Sequence, residues 1–319
     1  MNKVSVMMPA YNAELFIAEA LTSILNQNYT NIQIVVCDDA SQDKTAAIIA
    51  DYAERYPEKI KAILNKKNLG VTANCNLALM HCDGEFISLF AGDDLMLPGK
   101  IAKQVAVLEN DLEISLCYHP VEIFDSETNE ILFVTNQTSR EDVLNFEDML
   151  LKGGIPGGCS IMVRRSAIPL GGYDSRLKTV SDWLFFLEIS LMGKVVKINE
   201  VLARYRKHMG GASQNSYSLL EESLYALDIL LLKHPYLESK ITIFDKAKAR
   251  YLAGETFRQL ASNGSHAHTL SQRLLKYDHS VKYKILYFFV WMNSIFPIVS
   301  PMISYMAKKT KFFLKRMVG

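Results

Sequence analysis

The chain contains 319 residues, 49% of them hydrophobic, and carries a formal net charge of +1 at pH 7. This length allows one large α/β domain with an accessory part, and the apolar content excludes an intrinsically disordered chain. A net charge near zero lacks the basic footprint of nucleic-acid binding, so no nucleic-acid partner is predicted. The five cysteines are scattered without a CxxC pair, which predicts buried, reduced thiols in a cytoplasmic protein.

Short apolar runs alternate with amphipathic stretches in the first third of the chain. The runs read as buried strands at residues 4–8, 32–37, 60–64 and 86–90. Apolar residues at helical spacing predict intervening helices at residues 15–25, 45–56 and 71–81. Strands that alternate with helices through short loops predict a parallel, doubly wound α/β sheet.

The middle of the chain is expected to contain further strands and one helix. The strands are predicted at residues 114–118, 121–124, 131–134 and 159–163, and the helix at residues 146–151. The glycine-rich run at residues 153–158 is interpreted as a bend. No strand-to-helix turn carries GxGxxG, and GxxxxGK[ST] is absent. A nucleotide site in this chain must therefore use side chains rather than a glycine-rich loop.

Paired carboxylates follow two of the predicted strands. Asp38 and Asp39 end the second strand, and Asp93 and Asp94 come just after the fourth. Because the carboxyl ends of parallel strands open onto one edge of a sheet, both pairs are expected there. One pair can accept hydrogen bonds from a nucleoside, and the other can hold a divalent cation. The alternative for the second pair is an acidic cluster at the start of a helix.

Eight stretches, taken together and in this order, resemble the inverting nucleotide-sugar glycosyltransferases of family two, which have a GT-A fold. They are VSVMMPAYN (4–12), VVCDDASQDKT (35–45), NLGVTANCN (68–76), GEFI (84–87), GDD (92–94), GGYD (171–174), SDW (181–183) and RYRKH (204–208). The resemblance covers residues 3–213. It implies a Rossmann-like, mixed and mainly parallel sheet flanked by helices.

The resemblance also implies roles for individual residues. Nine would bind the nucleotide: Pro9, Ala10 and Tyr11 around uracil, Glu14 toward the nucleoside, Asp39 at the uracil N–H, Asn68 and Gly70 near base and ribose, Asp93 on the ribose, and Arg206 on the phosphates. Asp94 and His208 would bind Mg²⁺ or Mn²⁺. The family often has a further acid where Ala91 stands here. One carboxylate and the diphosphate would then provide most of the metal ligands, which Mg²⁺ tolerates because it keeps several waters.

Asp182 is the expected catalytic base, again by resemblance. Transfer with inversion needs the acceptor hydroxyl deprotonated on the face opposite the leaving diphosphate, and a carboxylate can take that proton. The alternative is that Ser181 or Asp182 only caps the N-terminus of the apolar helix that follows.

The chain is divided into a GT-A domain (1–213), a helical extension (214–279) and an apolar, basic tail (280–319). Residues 285–307 carry no charge and lie between lysine-containing flanks. A kinked membrane span, an interfacial helical hairpin and a buried helix pair are all compatible with this pattern. The basic flanks and the aromatic residues favour peripheral attachment to the cytoplasmic face of the cell membrane.

The predicted function is metal-dependent, inverting transfer of a hexose-type sugar. The donor would be a nucleotide sugar, UDP-linked, and the acceptor a hydroxyl of a glycan or lipid-linked glycan in surface-polysaccharide assembly. One alternative is a catalytically silent sugar-nucleotide-binding or scaffold subunit of a membrane complex. A nucleotidyltransferase would instead carry a glycine-rich basic loop after the first strand, where PAYN (9–12) stands here.

Overall fold

The computed structural model describes residues 1–137, 142–155, 157–208, 216–262 and 264–295. The chain divides into two compact units. The first unit contains residues 1–149 and 154–212, and the second contains residues 150–153 and 213–319.

The first unit contains the strands and most of the shorter helices. Its strands are β1 (Val4–Ala10), β2 (Ile32–Asp38), β3 (Ile60–Leu64), β4 (Phe86–Leu89), β5 (Leu95–Met96), β6 (Ile114–Tyr118), β7 (Val121–Asp125), β8 (Ile131–Val134), β9 (Met162–Arg164), β10 (Lys194–Lys197) and β11 (Ala203–Lys207). Its helices are α1 (Ile17–Leu25), α2 (Thr45–Arg55), α3 (Val71–Met80), α4 (Lys100–Asn110) and α6 (Ser181–Leu191). Helix α5 (Phe146–Lys152) begins in this unit and ends in the second.

A seven-stranded sheet with the order β10-β6-β9-β4-β1-β2-β3 forms the centre of the first unit. Strand β1 pairs in parallel with β2 and β4, and β2 pairs in parallel with β3. Val4, Val6 and Met8 are fully buried, as expected for a parallel strand covered by helices on both faces. Strand β9 is antiparallel to both of its neighbours, β4 and β6. The expected mixed, mainly parallel sheet flanked by helices is confirmed.

A second, four-stranded sheet has the order β5-β11-β7-β8. Strand β11 pairs in parallel with β7 and antiparallel with the two-residue strand β5. Because β5 directly follows Asp93 and Asp94, this pairing brings the basic strand β11 beside the second carboxylate pair. A contact between residues more than 100 positions apart in the sequence is therefore built into the fold.

The structure corrects the predicted strand at residues 159–163. A short 3-10 helix occupies Gly158–Ser160, and β9 begins only at Met162. Gly157 turns the chain with φ +79°, and a Cβ atom there would lie 2.9 Å from Val121 Cγ2. The chain passes close to β7 at this point, so it bends before it can join β4 and β6 as an antiparallel strand.

The second unit is helical. Its helices are α7 (Ser216–Lys233), α8 (Ile241–Ala261), α9 (Ala267–Leu274) and α10 (Val281–Ile295). Tyr283, Leu286 and Val290 of α10 join the apolar cluster formed with α7, α8 and α9. None of the helices in the described part of the chain has the length and apolarity needed to cross a membrane. The later half of the predicted 285–307 segment, from residue 296 onward, lies outside the described residues.

Candidate active site

Asp39 is the centre of the first polar cluster, at the carboxyl end of β2. Its carboxylate accepts the backbone N–H groups of Leu69 (2.7 Å) and Gly70 (3.0 Å). The side chain of Asn68 donates to the Asp39 carbonyl at 3.1 Å and accepts the Gly70 N–H at 3.1 Å. Gly70 has φ +83°, a conformation that glycine adopts without strain. The structure thus brings together Asp39, Asn68 and Gly70, three residues predicted from distant stretches.

The end of β1 and the loop after it lie beside this cluster. The Ala10 carbonyl accepts the Asp39 N–H at 2.9 Å, and the Pro9 carbonyl accepts the Gly92 N–H at 3.2 Å. Tyr11 is exposed. The end of β1 therefore lies between the loops that carry the two carboxylate pairs, and the loop that follows it exposes the ring of Tyr11.

Glu14 connects two loops. Its carboxylate accepts the Lys44 N–H at 2.9 Å, and its own backbone N–H donates to Asp43 at 3.1 Å. These bonds hold the segment before α1 against the start of α2. Within the described residues, the contacts of Glu14 are those of a loop support.

Asp93 and His208 form the second polar cluster. His208 Nε2 lies 3.0 Å from Asp93 Oδ2, and both side chains are partly exposed, at 24% and 31%. Phe16 packs against the imidazole with a ring-centroid distance of 5.1 Å. The cluster thus joins a carboxylate and an imidazole that are 115 residues apart in the sequence.

Asp94 is buried, in contrast to its neighbour. Its Oδ1 atom accepts the backbone N–H of Arg206 at 2.9 Å, and the Cys159 thiol also hydrogen-bonds to its carboxylate. Burial raises the pKa of Asp94 well above its usual value, and the negative charge of Asp93 adds to this effect. The carboxylate therefore connects β11, the 3-10 helix before β9 and the loop after β4 from inside the protein.

Arg206 is an internal brace. Its guanidinium donates to the Asp93 carbonyl at 2.8 Å and to Glu19 at 2.6 Å, and the side chain is only 7% exposed. It also lies over two aromatic rings, 4.7 Å from the centroid of Phe16 and 4.6 Å from that of Phe124. These contacts use the guanidinium within the protein and tie α1 to the Asp93 loop.

Asp182 lies at the start of α6 and is exposed. Its Oδ1 atom accepts the N–H of Trp183 at 2.7 Å. The alternative that Ser181 caps the helix is not observed, because the Ser181 hydroxyl instead bonds to Thr72 at 2.9 Å and the capping position is Val180. That bond fixes the beginning of α6 against α3.

Hydrogen bonds between segments place the acidic residues in one region of the first unit. The Ala10 and Pro9 carbonyls join the Asp39 loop to the Asp93 loop, and the Thr72–Ser181 bond joins the helix after Gly70 to the start of α6. Burial raises the pKa of Cys75 to about 12, with smaller contributions from Asp182, Cys37 and Asp39. Burial likewise raises the pKa of Tyr205 to about 12, with contributions from Asp94, Asp93, Cys159 and Asp182. Both directions agree with these contacts, because nearby negative charges disfavour ionisation of a thiol or a phenol.

The possible metal ligands near Asp93 suit a cation that the substrate also helps to bind. Within the described ranges, no three His, Cys, Asp or Glu side chains converge on a common centre. The partly exposed Asp93–His208 pair offers one oxygen and one nitrogen ligand, which suits Mn²⁺ or Mg²⁺ when phosphate oxygens supply further ligands. The two residues therefore fit a cation that arrives with a diphosphate.

Sequence reasoning missed three structural supports of this site. Phe16 contacts both Arg206 and His208, Glu19 pairs with Arg206, and Cys159 bonds to Asp94. The sequence around these three residues gives little indication of their roles, because each resembles an ordinary helix or strand residue. All five cysteines are buried free thiols, as predicted.

A mainly parallel sheet with acidic clusters after β2 and β4 is the arrangement expected of the GT-A fold class. Residues 5–170 match the model of the family described as glycosyl transferase family 2. The chain therefore belongs to glycosyltransferase family 2.

Individual relatives agree with this assignment. The chain is 33% identical over 236 residues to EpsE of Bacillus subtilis (strain 168), covering 72% of this chain and 80% of EpsE. It is 27% identical over 220 residues to the UDP-Glc:alpha-D-GlcNAc-diphosphoundecaprenol beta-1,3-glucosyltransferase WfgD of Escherichia coli, covering 68% of this chain and 82% of WfgD. The fold is similar to that of S. aureus TarS 1-349, solved in complex with UDP-GlcNAc, with a TM-score of 0.62 and 16% identity over 96% of this chain and 87% of TarS 1-349.

Proposed function

We propose that this protein is an inverting glycosyltransferase that moves a hexose-type sugar from a UDP-linked donor to a hydroxyl of a glycan or lipid-linked glycan in surface-polysaccharide biosynthesis. The observation that carries the proposal is the grouping of three polar features at one region: the Asp39 cluster, the Asp93–His208 pair and the exposed Asp182. WfgD, a relative over 68% of the chain, is named for a UDP-glucose donor and a diphosphoundecaprenol-linked acceptor.

The nucleoside would occupy the cluster around Asp39. The carboxylate already accepts two backbone N–H groups and the side-chain amide of Asn65. Because a carboxylate has about four acceptor positions, it can take one further N–H from a uracil ring. Asn68 and Gly70 would border the base and ribose from the same loop, with Pro9, Ala10 and the exposed ring of Tyr11 on the other side. In this assignment Glu14 supports the pocket by holding its loop.

The diphosphate and its cation would lie at Asp93 and His208. The sequence pattern assigned the metal to Asp94 and His208, with Asp93 on the ribose. The contacts favour Asp93 as the metal ligand, because the Asp94 carboxylate is buried and already bonds to Arg206 and Cys159. Arg206 would act by supporting Asp93, rather than by touching phosphate. When bound, the cation would neutralise negative charge that develops on the leaving diphosphate.

Asp182 would serve as the base. A carboxylate at the first turn of α6 is held in place by the helix and by the Ser181–Thr72 bond, and its exposure allows a substrate hydroxyl to approach. Asp182 would take the proton of the acceptor hydroxyl as that oxygen attacks the anomeric carbon. The leaving group is the nucleoside diphosphate, and attack from the opposite face inverts the configuration.

The experiment is a donor assay with purified full-length protein and Mn²⁺. We expect the wild type to release sugar from one UDP-sugar of a panel, and EDTA to suppress this release. The Asp182→Asn variant should bind UDP with wild-type affinity and lose at least 100-fold in transfer to an acceptor hydroxyl, the lower range for general-base catalysis. If UDP binds but no donor is consumed with Mn²⁺, the silent-subunit alternative is correct. Near wild-type transfer by Asp182→Asn would show that the base is another residue.

Helix α10 supports peripheral attachment to a membrane. One side of this helix packs into the second unit through Tyr283, Leu286 and Val290. Large apolar residues on its remaining surface are exposed, namely Val281, Ile285, Phe288, Phe289, Trp291 and Ile295. Lys282 and Lys284 lie at the start of the helix, and aromatic residues beside lysines are typical of helices that rest on an anionic membrane surface. The buried free thiols are consistent with the cytoplasmic face.

Vesicle flotation tests this attachment. The full-length protein should float with vesicles that contain phosphatidylglycerol, and binding should weaken in high salt and with neutral vesicles. Replacing Phe288 and Phe289 by serine should abolish flotation, whereas replacing the exposed Leu112 of the first unit by serine should not. Equal flotation of both variants would refute a role for α10.

A further inference from the structure

Helix α3 is bonded to two different parts of the first unit through opposite faces. Gly70, at its N-terminal end, lies four residues before Asn74. Thr72 likewise lies four residues before Asn76. Residues four apart share a face of a helix, whereas residues two apart are separated by about 200° around its axis. The sequence GVTANCN (70–76) therefore gives α3 one polar face at Asn74 and another at Thr72 and Asn76.

The Asn74 face is attached to the polar cluster around Asp39. The Asn74 amide donates to the Cys37 carbonyl at 2.9 Å, and its oxygen accepts the Asn65 amide at 3.0 Å. The Gly70 N–H donates to the Asp39 carboxylate at 3.0 Å. Cys37 belongs to β2, and Asn74 is only 2% exposed. The beginning of α3 is therefore fixed to the strand end that carries Asp39.

The opposite face of α3 is attached to the segment that leads into α6. The Asn76 amide donates to the Tyr173 carbonyl at 2.7 Å, and its oxygen accepts the Tyr173 N–H at 2.8 Å. The buried Thr72 hydroxyl donates to the Leu177 carbonyl at 2.7 Å. Because that hydroxyl has one proton, it accepts the bond from the Ser181 hydroxyl, 2.9 Å away. The residue before Asp182 is thus bonded directly to α3.

We infer that Thr72 is a positioning residue for the reaction. Through Ser181 it holds the first turn of α6, and with it the Asp182 carboxylate, at a fixed place relative to the Asp39 cluster. This inference rests on the proposed function, in which Asp39 binds the nucleoside and Asp182 is the base. A base must lie within hydrogen-bond reach of the attacking hydroxyl, and a displacement of about 1 Å can lower the rate about 100-fold. Helix α3 sets this spacing, because one helix carries the bonds to both sites.

The test compares Thr72→Val with two other variants of the full-length protein. Valine has nearly the shape of threonine but no hydroxyl, so both hydrogen bonds are lost without a cavity. Thr72→Ser keeps the hydroxyl. Ser190→Ala is the matched control, because Ser190 is also buried in α6 and donates one bond, to the Leu187 carbonyl at 2.7 Å, but lies eight residues beyond Asp182.

Hydrolysis of the UDP-sugar that the wild type consumes is measured with Mn²⁺ and with water as the acceptor. Calorimetry gives UDP affinity, and urea denaturation gives stability. Thr72→Val should lower kcat about 10- to 100-fold, with KM for the donor and UDP affinity within about twofold of wild type. Thr72→Ser should retain a kcat close to that of wild type. Ser190→Ala should lose stability without a change in kcat.

The double variant Thr72→Val/Asp182→Asn separates positioning of the base from general damage to the protein. If Thr72 acts by placing the Asp182 carboxylate, its hydroxyl should have no further effect once that carboxylate is an amide. The double variant should therefore hydrolyse the donor at the rate of Asp182→Asn.

Two kinds of result would overturn the inference. If Thr72→Val lowers kcat by the same factor with and without the Asp182 carboxylate, or leaves kcat unchanged, Thr72 does not act through the base, while the proposed function stands. If the wild type binds no UDP and consumes no donor, the proposed function fails and the role of Thr72 fails with it.

Discussion

Replacement of Arg206 distinguishes a structural brace from a phosphate ligand. The guanidinium donates to the Asp93 carbonyl and to Glu19, and it lies over the rings of Phe16 and Phe124. A hydrogen bond from a charged donor contributes about 1.5–3 kcal/mol. The Glu19 carboxylate is 59% exposed, so this ion pair adds only about 0.5 kcal/mol. Each cation–π contact adds about 0.5–1 kcal/mol.

These contacts belong to one network and do not add fully. We therefore expect Arg206→Met to lower the free energy of unfolding by about 3 kcal/mol. Urea denaturation followed by circular dichroism measures this change without any ligand. UDP affinity in Mn²⁺, measured by calorimetry, should fall only because the Asp93 loop becomes more mobile without its bond to Arg206.

Arg204→Met is the matched control. Arg204 lies on the same strand and packs 4.2 Å from the same Phe124 ring, but it pairs with Glu122 and Asn129 rather than with Asp93. This variant should lose stability while it retains wild-type UDP affinity. If Arg206→Met keeps its full stability and loses UDP binding, Arg206 contacts the phosphates directly and the brace is refuted.

Three further changes test the interior of the first unit. Asp94→Ala should lose about 2 kcal/mol of stability, because a buried N–H loses its acceptor, and urea denaturation measures this loss. The variant should also lose sugar transfer, which a donor assay measures. Burial lowers the pKa of Lys100 to about 8 from its ordinary 10.5. Between pH 8 and pH 10.5 the Lys100 amine is more protonated in the unfolded chain than in the folded chain. The free energy of unfolding of wild type, minus that of Lys100→Met, should therefore rise across this range by up to about 3 kcal/mol. Gly172→Ala should cost at least about 2 kcal/mol, measured by urea denaturation, because its φ is +67° and the new Cβ would meet Asn76 Oδ1 at 2.4 Å.

Each of these predictions has a control or a contradicting result. Asp93→Ala should keep its stability but require more Mn²⁺, so equal instability of the Asp93 and Asp94 variants would contradict their different roles. A stability difference between wild type and Lys100→Met that does not change with pH would contradict the buried amine. Gly171→Ala, with φ +93° and no atom within 4 Å, should cost only the backbone strain, so a loss equal to that of Gly172→Ala would exclude the contact with Asn76.

The secondary structure of the first third could be predicted because it depends on local patterns. Apolar runs and helical spacing placed β1 to β4 and the helices α1 to α3 within a few residues. The strand expected at residues 159–163 was misplaced, because β9 is set by its antiparallel position between β4 and β6 and by a close approach to Val121. Such contacts join residues far apart in the chain and leave no periodic signal.

The candidate site was predictable in position but less so in the use of each side chain. Carboxylates after β2 and β4 point to one sheet edge from topology alone. Whether Asp93 or Asp94 is accessible depends on Arg206, which is 112 residues away from Asp94. The roles of Arg206 and Glu14 likewise depend on partners that only the folded chain brings into reach, with 187 residues separating Arg206 from Glu19.

The amino-acid order by itself determined the strand–helix alternation, the family and the acidic residues, because these follow from local spacing and short motifs. Tertiary structure decided which acid is buried and which arginine is bonded inside the protein. Burial and hydrogen-bond partners are properties of packing between distant segments, and packing sets whether a charged group can reach a ligand.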